Sequence, residues 1–134
     1  MMDSLLDREV LLVLRYGLFG KPKRYDVVIC RYPGRKGLFV KRIIALPGER
    51  ISMHEDAVYI DGEPIDEPFQ RRRCMRAFEE IQLGADEYFV MGDNRPVSQD
   101  SRRVGPLKRS QLLARAVCVL WPIGKCRRID HKAG

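Results

Sequence analysis

The chain has 134 residues, 45% of them hydrophobic and 32% charged, with a formal net charge of +7 and four cysteines. That length suits one domain with a real but modest core, and the composition excludes an intrinsically disordered chain. The longest apolar runs, 10–14 and 116–123, fall far short of the roughly 20 residues a bilayer-spanning helix needs, and Asp3, Asp7 and Arg8 interrupt any signal-peptide pattern at the start.

In chain order, Glu9–Tyr16 is rich in Val and Leu and predicts a buried strand. Tyr25–Arg31 predicts a second, stopped by Pro33-Gly34, and Leu38–Leu46 a third, stopped by Pro47-Gly48. Glu49–Met53 and Ala57–Ile60 form a predicted hairpin, and Asp61-Gly62 turns the chain into Glu63–Pro68. Arg71–Leu83 mixes apolar residues with many charges and predicts a short helix or an irregular excursion. Glu87–Met91 is a short predicted strand ending at Gly92-Asp93-Asn94. A turn at Ser110–Leu113 introduces the last, Leu113–Trp121. Many short strands punctuated by Pro and Gly predict an all-β fold of coiled sheets or a partly open barrel, with few helical turns.

The surplus of positive charge sits at Arg71–Arg73, Arg102–Arg109 and Lys125–Lys132. Such runs read first as solvated faces and second as a surface for anionic lipid. Neither zinc-finger spacing nor an RNA-recognition aromatic signature is present, so nucleic acid is not an expected partner. No two of Cys30, Cys74, Cys118 and Cys126 have C-x-x-C spacing. Cys30 and Cys118 lie in apolar strand-like runs that suit buried thiols, and pairing stays open. His54 and His131 have no partner at metal or triad spacing and are given no catalytic role.

Two features carry chemistry. Strand alternation puts Phe39, Lys41, Ile43 and Ala45 on one face and Val40, Arg42 and Ile44 on the other. A lysine among apolar neighbours loses hydration, titrates low and can serve as a general base. The same pattern also fits a lysine snorkelling to water at a sheet edge. The second feature, Gly92-Asp93-Asn94-Arg95-Pro96-Val97-Ser98-Gln99-Asp100-Ser101-Arg102, packs a turn, two carboxylates, two hydroxyls and two arginines into one loop. Read alone, it is a polar loop with an Asp100–Arg102 ion pair.

Taken together the two segments resemble the type I signal peptidases, a family of Ser/Lys endopeptidases. Residues 40–49, VKRIIALPGE, are similar to the family's lysine box, KRxxGLPGD. Residues 92–102 match GDNRxxSxDSR at every defined position. Tyr25-Asp26-Val27-Val28 and Val58–Gly62 resemble two further family strands, with Asp61 where the family has Asn. The likeness runs from about Met1 to Ile123.

The resemblance implies a membrane-associated enzyme that removes signal peptides from exported proteins, cutting after small residues. It would act at the outer face of the plasma membrane, without a cofactor or metal, and be held there by an N-terminal anchor. It implies Lys41 as general base and Ser98 as the residue orienting its amine. Arg42 with Asp93, and Arg102 with Asp100, would be structural ion pairs. Met1, Leu5, Phe39 and Val40 would line the substrate groove. The region is expected to be one catalytic domain, with a smaller insertion or cap around 51–83.

The family's nucleophile box, SMxPTL, aligns its methionine with Met1, its threonine with Ser4 and its leucine with Leu5, while Asp3 replaces the proline. The serine then falls one position before Met1. The 134 residues alone are therefore expected to be inactive, or else to be a homologue that binds such peptides without cutting them.

Overall fold

The computed structural model describes residues 10–18, 20–70, 77–121, 127–129 and 131. The chain is mainly β, with two open sheets and one short helix among the described residues. The larger sheet runs β1(Val10–Arg15), β10(Leu112–Trp121), β2(Val27–Cys30), β3(Phe39–Ala45), β8(Glu87–Met91), β9(Leu107–Lys108), and β11(Arg127–Arg128) pairs with β10. Its pairings are antiparallel throughout.

The smaller sheet runs β6(Glu63–Pro64), β5(Ala57–Ile60), β4(Arg50–His54), β7(Phe78–Gln82). Its β4–β5 hairpin turns at Glu55 and Asp56, both at positive φ (47° and 67°), as a mirror-image tight turn requires. Asp61 (50°) and Gly62 (84°) do the same between β5 and β6.

The two sheets meet over one apolar cluster. Ile44, Ala45, Phe89 and Met91 from β3 and β8 pack with Ile51, Met53, Val58 and Ile60 from β4 and β5. The opposite face of β3 and β8 presents Ile43, Tyr88 and Val90 to Val28, Cys30, Tyr32, Leu107 and Leu112. β8 alternates cleanly between these faces. β3 does not, because a register shift separates Ile43, paired with Val90, from Ala45, paired with Phe89. This irregularity turns Ala45 onto the face of Ile44. Ala45 therefore does not share Ile43's face as strict alternation had it.

Most predicted strands appear with slightly trimmed ends. Residues 71–76 of the charged 71–83 segment lie outside the described residues. Phe78–Gln82 is neither helix nor irregular but a strand on the free side of β4. Its alternation is shallow because its charged residues face solvent while Phe78 and Ile81 reach the core. Two short pieces carry no strong sequence signal: the helix α1(Ser101–Val104) and a single 3-10 turn at Arg109–Gln111, where the sequence had suggested a turn.

Candidate active site

Lys41 sits in the middle of β3, directly across from Val28 on β2. Opposed residues of an antiparallel pair project to one side. Lys41 thus faces the cluster that holds Val28, Cys30 and Ile43, and only 9% of it is exposed. Burial is the largest influence on its amine and holds it below the ordinary lysine range, with the Asp100 carboxylate pulling the other way. The neighbouring Cys30 thiol is fully buried and is pushed up to about 12 by burial, so it stays protonated.

The loop after β8 delivers the amine's partner. Lys41 Nζ lies 3.0 Å from Ser98 Oγ, both side chains being buried. The Ser98 hydroxyl also helps hold the Asp100 carboxylate below its usual range. Gly92 closes the contact from behind. A Cβ built there would lie 2.1 Å from Ser98 Oγ and 3.6 Å from Lys41 Nζ. Gly92 is needed for this approach, since no positive φ is recorded at that position.

Asp100 organises the loop. It accepts from the Gly92 N–H at 2.9 Å, from Arg102 Nε at 2.8 Å and Nη2 at 2.9 Å, and from the Arg102 N–H at 3.2 Å as N-cap of α1. Burial would raise its carboxyl, but the arginine and the N–H donors outweigh burial and hold it below the usual range. Ser101 Oγ accepts the Val90 N–H at 3.0 Å, tying α1 back to β8. Arg42 projects away from Lys41 and grips Asp93 with two bonds, 2.9 and 2.8 Å, under the Phe69 ring. Both partners are essentially inaccessible. Arg102, which the sequence placed in a solvated basic run, keeps only 8% of its side chain exposed.

Of the residues expected to line a substrate groove, Met1 and Leu5 lie outside the described residues. Phe39 and Val40 flank Lys41 and are half-buried. They do not share a face: Phe39 stacks near Tyr32 on Lys41's side, ring centroids 4.6 Å apart, while Val40 packs with Val27 and Ala116.

Sequence reasoning missed two buried polar groupings. In the first, the Arg95 guanidinium pairs with Glu67 and donates from Nε to the Gly92 carbonyl at 2.9 Å. Nothing in the spacing of Glu67 signals this. In the second, Asp26 accepts from Tyr16 Oη at 2.7 Å and from the Lys23 N–H at 3.0 Å, and faces Arg115 at 3.0 Å. His131 takes a structural part in this grouping. Its Nδ1 accepts the Val27 N–H at 3.0 Å and lies 3.9 Å from Asp26. Among the described residues no three His, Cys, Asp or Glu side chains cluster as metal ligands would.

The mainly β fold is that of a peptidase family. A family model described as "Signal peptidase, peptidase S26" matches residues 1–121. The chain is 33% identical over 122 residues to a signal peptidase I of Bacillus licheniformis, covering 83% of this chain and 66% of that one. It is 32% identical to signal peptidase I T of Bacillus subtilis (strain 168), covering 96% of this chain and 72% of that one. A crystal structure of a signal peptidase I from Enterococcus faecalis V583 superposes with a TM-score of 0.63 at 29% identity, covering 69% of this chain and 94% of the other. The chain belongs to the signal peptidase family, peptidase S26. It spans about two thirds of the length of the first curated relatives it matches.

Proposed function

We propose that this region carries the general base of a Ser/Lys endopeptidase that removes signal peptides from exported proteins. The observation that supports it best is the buried Lys41–Ser98 contact of 3.0 Å, made on an amine that burial disfavours in its charged form. Ser98 Oγ, buried beside the amine, accepts one of its N–H bonds. A neutral Lys41 then spends one N–H on Ser98, and its lone pair is left to face another group. In the proposed reaction that group is the hydroxyl of a serine in the family's nucleophile box, one position before Met1. Lys41 takes its proton as the oxygen attacks the scissile carbonyl and returns it to the leaving amine.

Asp93–Arg42 and Asp100–Arg102 act as fixed struts for the Ser98 loop rather than as proton carriers. Phe39 offers an apolar wall on the lysine's side, which suits the small residues such enzymes accept. Membrane association would come through an anchor in the whole protein. No helix among the described residues is long and apolar enough to cross a membrane.

The test uses the chain with a serine placed before Met1 and a signal-peptide-bearing substrate, with cleavage read by mass spectrometry. Lys41→Met keeps the volume and removes the base, so turnover should fall by at least about 10²-fold. The 134 residues as they stand should give no cleavage. Undiminished turnover in Lys41→Met would sink the assignment. Peptide binding without cleavage in the serine-bearing chain would favour the binding-module reading.

A further inference from the structure

The Glu67–Arg95 ion pair is buried, yet it lies outside the Lys41–Ser98 contact and the two ion pairs that flank it. Arg95 is 1% exposed and the Glu67 side chain 5%. Glu67 follows β6, so its carboxylate comes from the smaller sheet's connection, while Arg95 belongs to the loop that carries Ser98. Two charges are seldom taken out of water so completely on a surface loop, because desolvation is expensive unless the geometry is well satisfied. Here it is satisfied. Arg95 Nη1 and Nη2 both meet Glu67, and Nε meets the Gly92 carbonyl.

The bonds around Arg95 run in the direction of Ser98. Its side chain holds Gly92, the residue whose missing Cβ leaves room for Ser98 Oγ. Its own carbonyl accepts from Arg102 Nη2 at 2.8 Å, the arginine that also clamps Asp100. Between Arg95 and Ser98 the loop closes on itself, with the Ser98 N–H bonded to the Asn94 carbonyl at 3.1 Å. Two routes from Arg95, through the Gly92 carbonyl and through Arg102 to Asp100, thus lead to groups that frame Ser98.

We propose that Glu67 is a positioning residue. Through Arg95 it fixes Gly92 and the 94–98 loop so that Ser98 holds the Lys41 amine in a dry site. The smaller sheet thereby contributes to the reactive centre without touching it. The inference rests on Lys41 and Ser98 being the working pair. It adds a determinant that neither family motif contains, since Glu67 lies between them in sequence.

The physical consequence of removing the carboxylate follows. Glu67→Gln leaves the Arg95 guanidinium buried without a counter-charge. It turns toward water and releases the Gly92 carbonyl, and the Ser98 loop loosens. Water then reaches Lys41, whose amine regains hydration and holds its proton more tightly.

The experiment needs no turnover. The intact 134-residue chain is treated with an amine-acylating reagent across a pH series, and modification of each lysine is read by mass spectrometry with thermal unfolding in parallel. In the unsubstituted chain Lys41 should react at lower pH than the exposed lysines, allowing for its poorer access by comparing the shape of the profile rather than its height. If its profile matches theirs, the reading of Lys41 as a base fails, whatever Glu67 does.

With a low Lys41 profile established, Glu67→Gln should shift it to higher pH and lower the reactive fraction at pH 7 roughly tenfold, the effect of about one unit of proton affinity. Glu67→Asp should restore most of it. Glu49→Gln removes the carboxylate that pairs with Arg24 and accepts the Leu46 N–H, bonds that do not involve the Ser98 loop, and should lower thermal stability without moving the Lys41 profile. A profile unmoved in Glu67→Gln, or moved equally in Glu49→Gln, overturns the proposal. If Glu67→Gln does not fold, Arg95→Lys serves in its place. That variant keeps the charge pair but cannot hold Gly92 and Glu67 together, so an unshifted profile there overturns the proposal too.

Discussion

Gly92→Ala is the sharpest single perturbation of the site. An alanine Cβ would stand 2.1 Å from Ser98 Oγ and 2.6 Å from Ser98 Cβ. Relaxed contacts between such atoms are about 3.5 Å, so the Ser98 side chain must withdraw by roughly 1 Å or more. It has little room, because it is buried and bonded to Lys41. Forcing a methyl into a filled interior costs about 1–3 kcal/mol. For a chain of this size that lowers the melting temperature by roughly 3–15 °C. The effect on chemistry should be larger in proportion, since a misplacement of about 1 Å at a reacting centre costs on the order of 10²-fold in rate. The assay pairs thermal unfolding with kcat on a signal-peptide substrate, using the chain with the box serine supplied. A variant that melts normally and cleaves at the parent rate would show that Ser98 is not packed against Gly92 and does not orient Lys41.

Two further outcomes can be checked by unfolding alone. Asp93→Asn strands the inaccessible Arg42 charge and should cost about 3–5 kcal/mol in urea melts, whereas Arg42→Met with Asp93→Leu should recover most of that; equal losses in both would mean the pair itself stabilises the fold. His131 titrates below its usual value, chiefly through burial and then the nearby Arg115, with Asp26 opposing and Arg42 adding to the repulsion. Its folded value lies below its unfolded one, so its contribution is intact above about pH 6.5 and is lost as pH falls below that, levelling off once the folded group also charges. Stability measured from pH 8 to 5 should show this slope in the parent chain and a flatter one in His131→Gln; parallel curves would refute the lowered titration of the buried His131.

Lys41 and Ser98 were legible because each lies in a motif with a local pattern. Lys41 interrupts a period-two apolar strand, and Ser98 sits at a set distance from Gly92 and Asp100 in one loop. The pattern could not choose between a buried amine and a snorkelling one. That choice depended on whether β2 and β8 would cover β3 on both sides, and they do. Strict alternation then failed two residues beyond Ile43, where the register shift lets β3 feed both cores. The strand at Phe78–Gln82 was hidden for a related reason: it covers a neighbour's edge with only two apolar side chains, too few for a periodic signal.

What the sequence determined by itself was a set of local identities: a mainly β chain, a lysine box, and a polar loop with its own ion pair. These depend on residues within about ten positions of one another, where spacing translates directly into geometry. Only the tertiary structure decided which distant groups meet. Lys41 and Ser98 are 57 positions apart, Arg42 and Asp93 51, and Glu67 and Arg95 28. No periodicity encodes such meetings, because they are set by how two sheets share one apolar cluster and by which loops that packing brings face to face. The close approach of Ser98 to Gly92 belongs to the same class. The sequence shows a glycine in a turn, and the fold makes its missing side chain the space the site needs.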